Sequence, residues 1–196
     1  MFKFISSALL ALLVVGCGSK AFVKGSYDQD INQANLLTDR WSESDMQNAV
    51  KALITEAKKH RFITHAKRPP IVMTTKIGNK TSEIIDTQSI SDMMRVELMR
   101  GGQVQFIDKA AREDLAKEYE YQKENMSRTS KKKKGNQISA DLIFNGRLDS
   151  IVQQAGRDKT VYYKLTLNMT NLSTGLIVWS DYKQIRKVFR KKRLGL

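Results

Sequence analysis

Val161, Tyr163, Leu165, Leu167 and Met169 alternate without a fault with Tyr162, Lys164, Thr166, Asn168 and Thr170, and no other stretch restricts the fold so tightly. A period of two sends five side chains to one face and five mostly polar ones to the other, the pattern of a strand with one buried side. Just upstream, Leu142, Phe144 and Leu148 keep the same period with Gly146 in the apolar register, so a second strand precedes the first. Downstream, Asn171-Leu172-Ser173-Thr174-Gly175 leads into Leu176-Ile177-Val178-Trp179-Ser180. Gly175 is free to take a positive φ there, and a β-hairpin results. At Ile177-Val178-Trp179 both faces would be apolar, which predicts a strand covered on both sides. The pattern leaves open whether Val178 or Trp179 faces the main core.

Helices and short strands precede this block. Ser42 and Ser44 can cap a helix, Ser44 pairing with Gln47, and Met46, Ala49, Val50, Leu53 and Ala57 repeat at three and four up to about Lys59. Arg68-Pro69-Pro70 stops any helix, and the β-branched run Ile71 to Ile77, closed by Gly78-Asn79, reads as a buried strand. Ser89 or Ser91 caps a second helix with a stripe of Ile90, Met93, Met94 and Leu98, ended by Gly101-Gly102. Gln103 to Ile107 is another short strand. Asp108 then caps a third helix to about Asn125, with Ala111, Leu115 and Tyr119 inward. The expected fold is α/β, a single domain with a mixed sheet of about five strands and three or more flanking helices.

The first residues address the chain. Lys3 is followed by an uncharged run from Ile5 to Val15, which has the form of a secretory signal peptide over residues 1–16 and is too short to span a bilayer. Cys17, the single cysteine, follows Val14-Val15-Gly16, and Val-Val-Gly-Cys resembles the bacterial lipobox, in which the cysteine becomes the acylated first residue of a lipoprotein. Such acyl chains exceed the two signals that stable anchoring needs. Gly18 and Ser19 differ from the Asp that resembles an inner-membrane retention signal, so the expected location is the outer membrane, facing the periplasm. Residues 17–40 read as a lipidated N-terminus and tether, which reaches at most roughly 80 Å extended and about 27 Å as a coil. The globular domain is expected over 41–187 and a basic tail over 188–196.

Charge narrows the partners. The chain carries a net charge of +14, lowered by one when Lys3 leaves with the signal peptide. Such a balance usually points to nucleic acid, which an exported lipoprotein does not meet. Phospholipid headgroups, anionic wall glycans or an acidic protein patch are the expected counter-ions. The run Lys131, Lys132, Lys133 and Lys134, and the tail from Lys187 to Arg193, read as solvated segments. Catalytic patterns are missing: no Gly-rich phosphate loop, no nucleophile elbow, no His-Glu-x-x-His. His60 and His65 have no spacing for a metal, and Asp141 and Asp149 lie about 26 Å apart on one strand, too far for a carboxylate pair. No catalytic residue, metal or cofactor is expected, and the chain is read as a non-enzyme.

In order and spacing, several phrases resemble the LpoB family of penicillin-binding-protein activator lipoproteins. They are Asp39 to Asp45, Ile77-Gly78-Asn79-Lys80-Thr81-Ser82 through Ile85-Asp86-Thr87, Gly102 to Phe106, Ala140-Asp141-Leu142-Ile143 with Gly146, Tyr162 to Leu167, Thr174 to Ser180, and Arg186-Lys187. The resemblance implies a fold related to the N-terminal domain of TolB. It also implies a non-catalytic regulator in the outer membrane that binds a class A penicillin-binding protein, a bifunctional peptidoglycan synthase, and raises its activity. Lys131, Lys132, Lys133 and Lys134, with Arg147, Tyr162 and Lys164, are the residues expected to meet a partner or an anionic surface. Pro69 and Pro70 are the only prolines, so the tether lacks the Pro-rich character of the best-known members. The alternative is a lipoprotein subunit of an outer-membrane secretion or flagellar assembly, whose members share the Thr174-to-Trp179 hairpin phrase.

Overall fold

The computed structural model describes residues 38–108, 111–126 and 138–191. Helix α1 spans Glu43–Lys58 and α2 Arg61–Thr64; strands β1 and β2 span Ile71–Thr74 and Gly78–Lys80. Helix α3 (Thr87–Met99), strand β3 (Gln105–Phe106) and helix α4 (Ala111–Asn125) follow, and the chain closes on three long strands: β4 (Leu142–Ala155), β5 (Asp158–Asn171) and β6 (Ile177–Arg190). The sheet runs β3-β1-β4-β5-β6, with β2 also paired to β4. Strands β1 and β2 are parallel to β4, while β5 and β6 are antiparallel to their neighbours. The fold is therefore a mixed α/β sheet with helices.

The alternation in β5 decides which side of the sheet is the core. Val161, Tyr163, Leu165, Leu167 and Met169 are all buried, as are Leu142, Phe144 and Leu148 beside them. Against this face lie Ala49, Val50, Leu53, Ile54 and Ala57 of α1 and Ile90, Met94 and Leu98 of α3. Each such Leu or Ile contributes roughly 1.5–3 kcal/mol by leaving water. Gly146 is required here for space. A Cβ at that position would stand 2.4 Å from the Thr166 carbonyl oxygen and 2.7 Å from Leu167 Cδ2, closer than atoms approach.

Several local expectations are corrected. The capping box of α1 is built from Ser42 and Asp45, not Ser44 and Gln47: Asp45 N–H donates to Ser42 Oγ at 3.4 Å and Ser42 N–H donates to the Asp45 carboxylate at 2.9 Å. Helix α3 is capped by Asp86 rather than by Ser89 or Ser91. The strand expected from Ile71 to Ile77 stops at Thr74 and resumes as β2 at the Gly78-Asn79 read as its end. Thr74 pairs with Phe144 and Gly78 with Arg147, so three residues of one strand face two of the other. Ile77, in that interruption, turns fully inward. Asp108 does accept from Ala111 N–H at 3.2 Å, yet the face of α4 expected to turn inward is not buried: Leu115 is 46 % exposed and Tyr119 is only half-buried.

The apolar triplet at the start of β6 also has a different cause. Met169 pairs with Trp179 but Thr170 with Ile177, which leaves Val178 as the extra residue of a β-bulge. The bulge lets both Val178 and Trp179 pack on the core, while Ile177 remains 59 % exposed. The strand is open on one face, not covered on both sides. It also runs on to Arg190, so residues 188–190, read as tail, are strand, and Lys187 is buried rather than solvated.

Candidate functional site

Because period two continues through β4, β5 and β6, the residues opposite the core form a second, open face. Register aligns them in rows: Asn145, Asn168 and Ser180; Arg147, Thr166 and Tyr182; Asp149, Lys164 and Gln184; Ile151, Tyr162 and Arg186. None of these side chains is buried. The first row is hydrogen-bonded across all three strands, Asn168 Nδ2 donating to Asn145 Oδ1 at 3.1 Å and Ser180 Oγ lying 2.7 Å from Asn168 Oδ1. Such a ladder holds a flat polar surface without help from helices.

Charge on this face is unevenly compensated. Arg147 Nε donates to Asp149 at 2.9 Å, and Arg190 donates to Asp158 at 2.5 Å, an arrangement that holds the Asp158 carboxyl below the usual carboxylate range. Lys164 and Arg186 have no carboxylate partner among the described residues. The two tyrosines, Tyr162 and Tyr182, stand in the rows on either side of Lys164. A basic, tyrosine-bearing flat surface is suited to an acidic protein face, since Tyr and Arg supply interface anchors at low entropic cost.

Of the expected contact residues, Arg147, Tyr162 and Lys164 are thus brought onto one face of neighbouring strands. Cys17 and Lys131 to Lys134 lie outside the described residues. Tyr182, Arg186 and the Asn145-Asn168-Ser180 ladder complete the face, and past Trp179 the sequence carries no alternation to mark them, since Asp181, Lys183 and Lys187 on the other parity are charged as well. Asp149 is taken up by Arg147, and Asp141 by Arg68 and the backbone of Ile71, so neither carboxylate faces the other.

At one end of the sheet a polar strap ties the first described residues down. Tyr163 Oη–H donates to the Glu83 carboxylate and lies 3.3 Å from the Asp39 carbonyl, while Trp41 N–H donates to Glu83 at 3.1 Å. The Trp41 ring meets Tyr163 edge-on with centroids 5.4 Å apart. Burial, then the Glu83 carboxylate, pushes the Tyr163 hydroxyl well above its usual range. Lys159 pairs with Asp39 and lowers its carboxyl. Glu83 is itself placed by a braced loop in which Asn79 Nδ2 donates to the Glu83 carbonyl at 2.8 Å and Thr81 N–H donates to Asn79 Oδ1 at 2.9 Å.

Comparison with known proteins gives one family: the model described as peptidoglycan-synthase activator LpoB matches residues 44–185. No curated protein sequence matches. Among solved structures, the LpoB C-terminal domain from Salmonella enterica aligns with 11 % identity and a TM-score of 0.44, covering 73 % of this chain and 99 % of that one. The same domain from Escherichia coli gives 11 %, 0.43, 72 % and 98 %. Lipoprotein GNA1162 from Neisseria meningitidis gives 11 %, 0.41, 64 % and 88 %. Among the described residues no helix is long and apolar enough to cross a membrane.

Proposed function

The chain belongs to the LpoB family of peptidoglycan-synthase activators, and from that premise we propose that it binds a bifunctional penicillin-binding protein and raises its rate of glycan polymerisation without catalysing chemistry itself. The observation that carries this reading is the extent of the family match, which runs from Ser44 in the first turn of α1 to Ile185 in β6 and so takes in most of the sheet, Arg186 lying just beyond it.

In this reading Cys17 carries the acyl anchor in the outer membrane, the following residues are the tether, and the domain hangs in the periplasm. The open face of β4, β5 and β6 is the docking surface, through Arg147, Tyr162, Lys164, Tyr182 and Arg186. Its excess of cations over carboxylates favours an acidic patch on the synthase and accelerates encounter. Lys131 to Lys134 supply further charge toward anionic glycans or headgroups.

Glycan polymerisation by a purified class A synthase of the source organism tests the proposal. A soluble chain starting at Gly18 should stimulate it, while a Cys17→Ala allele should fail in cells, because an untethered domain loses the local concentration that a tether supplies. A folded chain that stimulates none of the organism's bifunctional synthases would remove the reading.

A further inference from the structure

A concave surface lies at the end of the sheet where β4 begins and β5 ends. It is a groove of 560 Å³ floored by Phe62, Pro70 and Leu142 and edged by Arg61, Lys67 and Arg68. Eight residues of β5 separate its Asn171 from the Tyr163 that holds the strap, about 26 Å at 3.3 Å per residue.

The walls are built in advance. The His60 ring lies parallel to Phe62 with centroids 5.7 Å apart, and the Arg61 guanidinium stands 5.6 Å over the other residue of that stack, the Phe62 ring. Pro69 and Pro70 fix the loop dihedrals, and the Pro70 carbonyl accepts from Gln105 N–H at 3.0 Å. Among the described residues Asp141 is the single carboxylate in the lining. One of its oxygens is taken by Arg68 at 3.2 Å and the other by Ile71 N–H at 2.8 Å. Arg61 and Lys67 have no carboxylate partner among the described residues. Across the β5–β6 turn that follows Asn171, the residues Leu172, Leu176 and Ile177 are 44 %, 65 % and 59 % exposed.

We propose that this groove is a docking site for an acidic, partly apolar segment of another polypeptide, with carboxylates on Arg61 and Lys67 and an apolar side chain seated on Phe62 and Leu142. Charge complementarity selects the sign of the occupant: two uncompensated cations at the edge of an apolar floor reject a basic segment and leave a neutral one without a partner for them. Concavity selects its shape, since a segment a few side chains long fills a cavity of this size, whereas a planar bilayer spans its mouth. The inference is independent of the synthase reading, which uses the open face of β4, β5 and β6.

The test uses the full chain in detergent and a fluorescein-labelled peptide alternating glutamate with leucine and phenylalanine, followed by anisotropy. Saturable binding is expected, weakened about tenfold by Arg61→Glu with Lys67→Glu and by raised salt, and unchanged by Lys80→Glu on β2, an exposed cation outside the groove. Because Arg61 and Lys67 are exposed, the double variant should melt with the parent, which keeps a folding defect out of the result. Binding that ignores the groove substitutions, an equal response to the lysine analogue of the peptide, or capture by anionic phospholipid vesicles in preference to the peptide would overturn the proposal.

Discussion

The Lys187 ammonium lies 2.5 Å from the Asp45 carboxylate with 1 % and 9 % of the two side chains exposed, so the last strand and the first helix are joined by a charge pair inside the domain. The same nitrogen donates to the Arg40 carbonyl at 2.6 Å, and Asp45 also accepts from the backbone of Ser42. Lysine is tolerated there because each charge is both paired and hydrogen-bonded. Removing one partner is the costly change: Lys187→Ala should lower stability by about 3–5 kcal/mol, because Asp45 is left as a buried uncompensated charge. Joint replacement by Lys187→Met and Asp45→Leu should cost much less, about the 1 kcal/mol expected for the lost cap. Urea unfolding of the three chains decides the point.

Tyr163 gives the domain an alkaline limit. Its hydroxyl is held protonated by burial and by Glu83, so its folded pKa lies above the unfolded value near 10. A group raised on folding contributes stability that is complete below the unfolded pKa and is lost as pH rises beyond it. Stability should therefore be flat in this group up to about pH 10 and fall above it. Tyr163→Phe should be less stable at neutral pH and show a shallower alkaline decline, which denaturant midpoints from pH 8 to 11 would reveal.

Gly146 should accept no side chain. The Cβ of Gly146→Ala would meet the Thr166 carbonyl at 2.4 Å, a backbone atom fixed by the β4–β5 ladder, so the strands must separate. The expected cost reaches or exceeds the roughly 1–3 kcal/mol of ordinary overpacking. A melting temperature within about two degrees of the parent would show that the strands have more room than they display.

Phe144 and Leu165 probe the register of the core directly. Both are buried, at 0 % and 1 % exposure, and Phe144 packs tilted against Trp179 with centroids 6.3 Å apart. Either residue changed to alanine should cost about 2–5 kcal/mol by leaving a cavity, read from thermal melts.

The strands could be read because one side of β5 is buried along its length, and burial on one side is what imposes period two. Strand β2 could not: Gly78, Asn79 and Lys80 carry no apolar side chain, and their place beside β4 comes from pairing alone. Val178 defeats a period reading because a bulge adds a residue without changing composition. Lys187 sits in a run of positive charge whose average is solvated, and only its contact with Asp45 distinguishes it. In α4 the converse occurs, since Leu115 has helical spacing yet stays 46 % exposed. The open face was half legible. Parity along one strand placed Tyr162 and Lys164 together, but joining them to Arg147 and Arg186 needs the registers of three strands, which depend on where the turns end.

Reversing charge on the open face should separate binding from folding. Lys164 and Arg186 are surface cations with no carboxylate partner among the described residues, so Lys164→Glu with Arg186→Glu removes no ion pair there and buries nothing. The fold should keep its stability to within the roughly 0.5 kcal/mol typical of exposed sites. An acidic partner, by contrast, would meet two like charges where it had met two opposite ones. Stimulation of the purified synthase should then need about tenfold more protein, and the salt dependence of the response should weaken, since the steering term has gone. A stabilised domain that stimulates as well as the parent would move the docking surface off the sheet, leaving the helical side as the face to be searched.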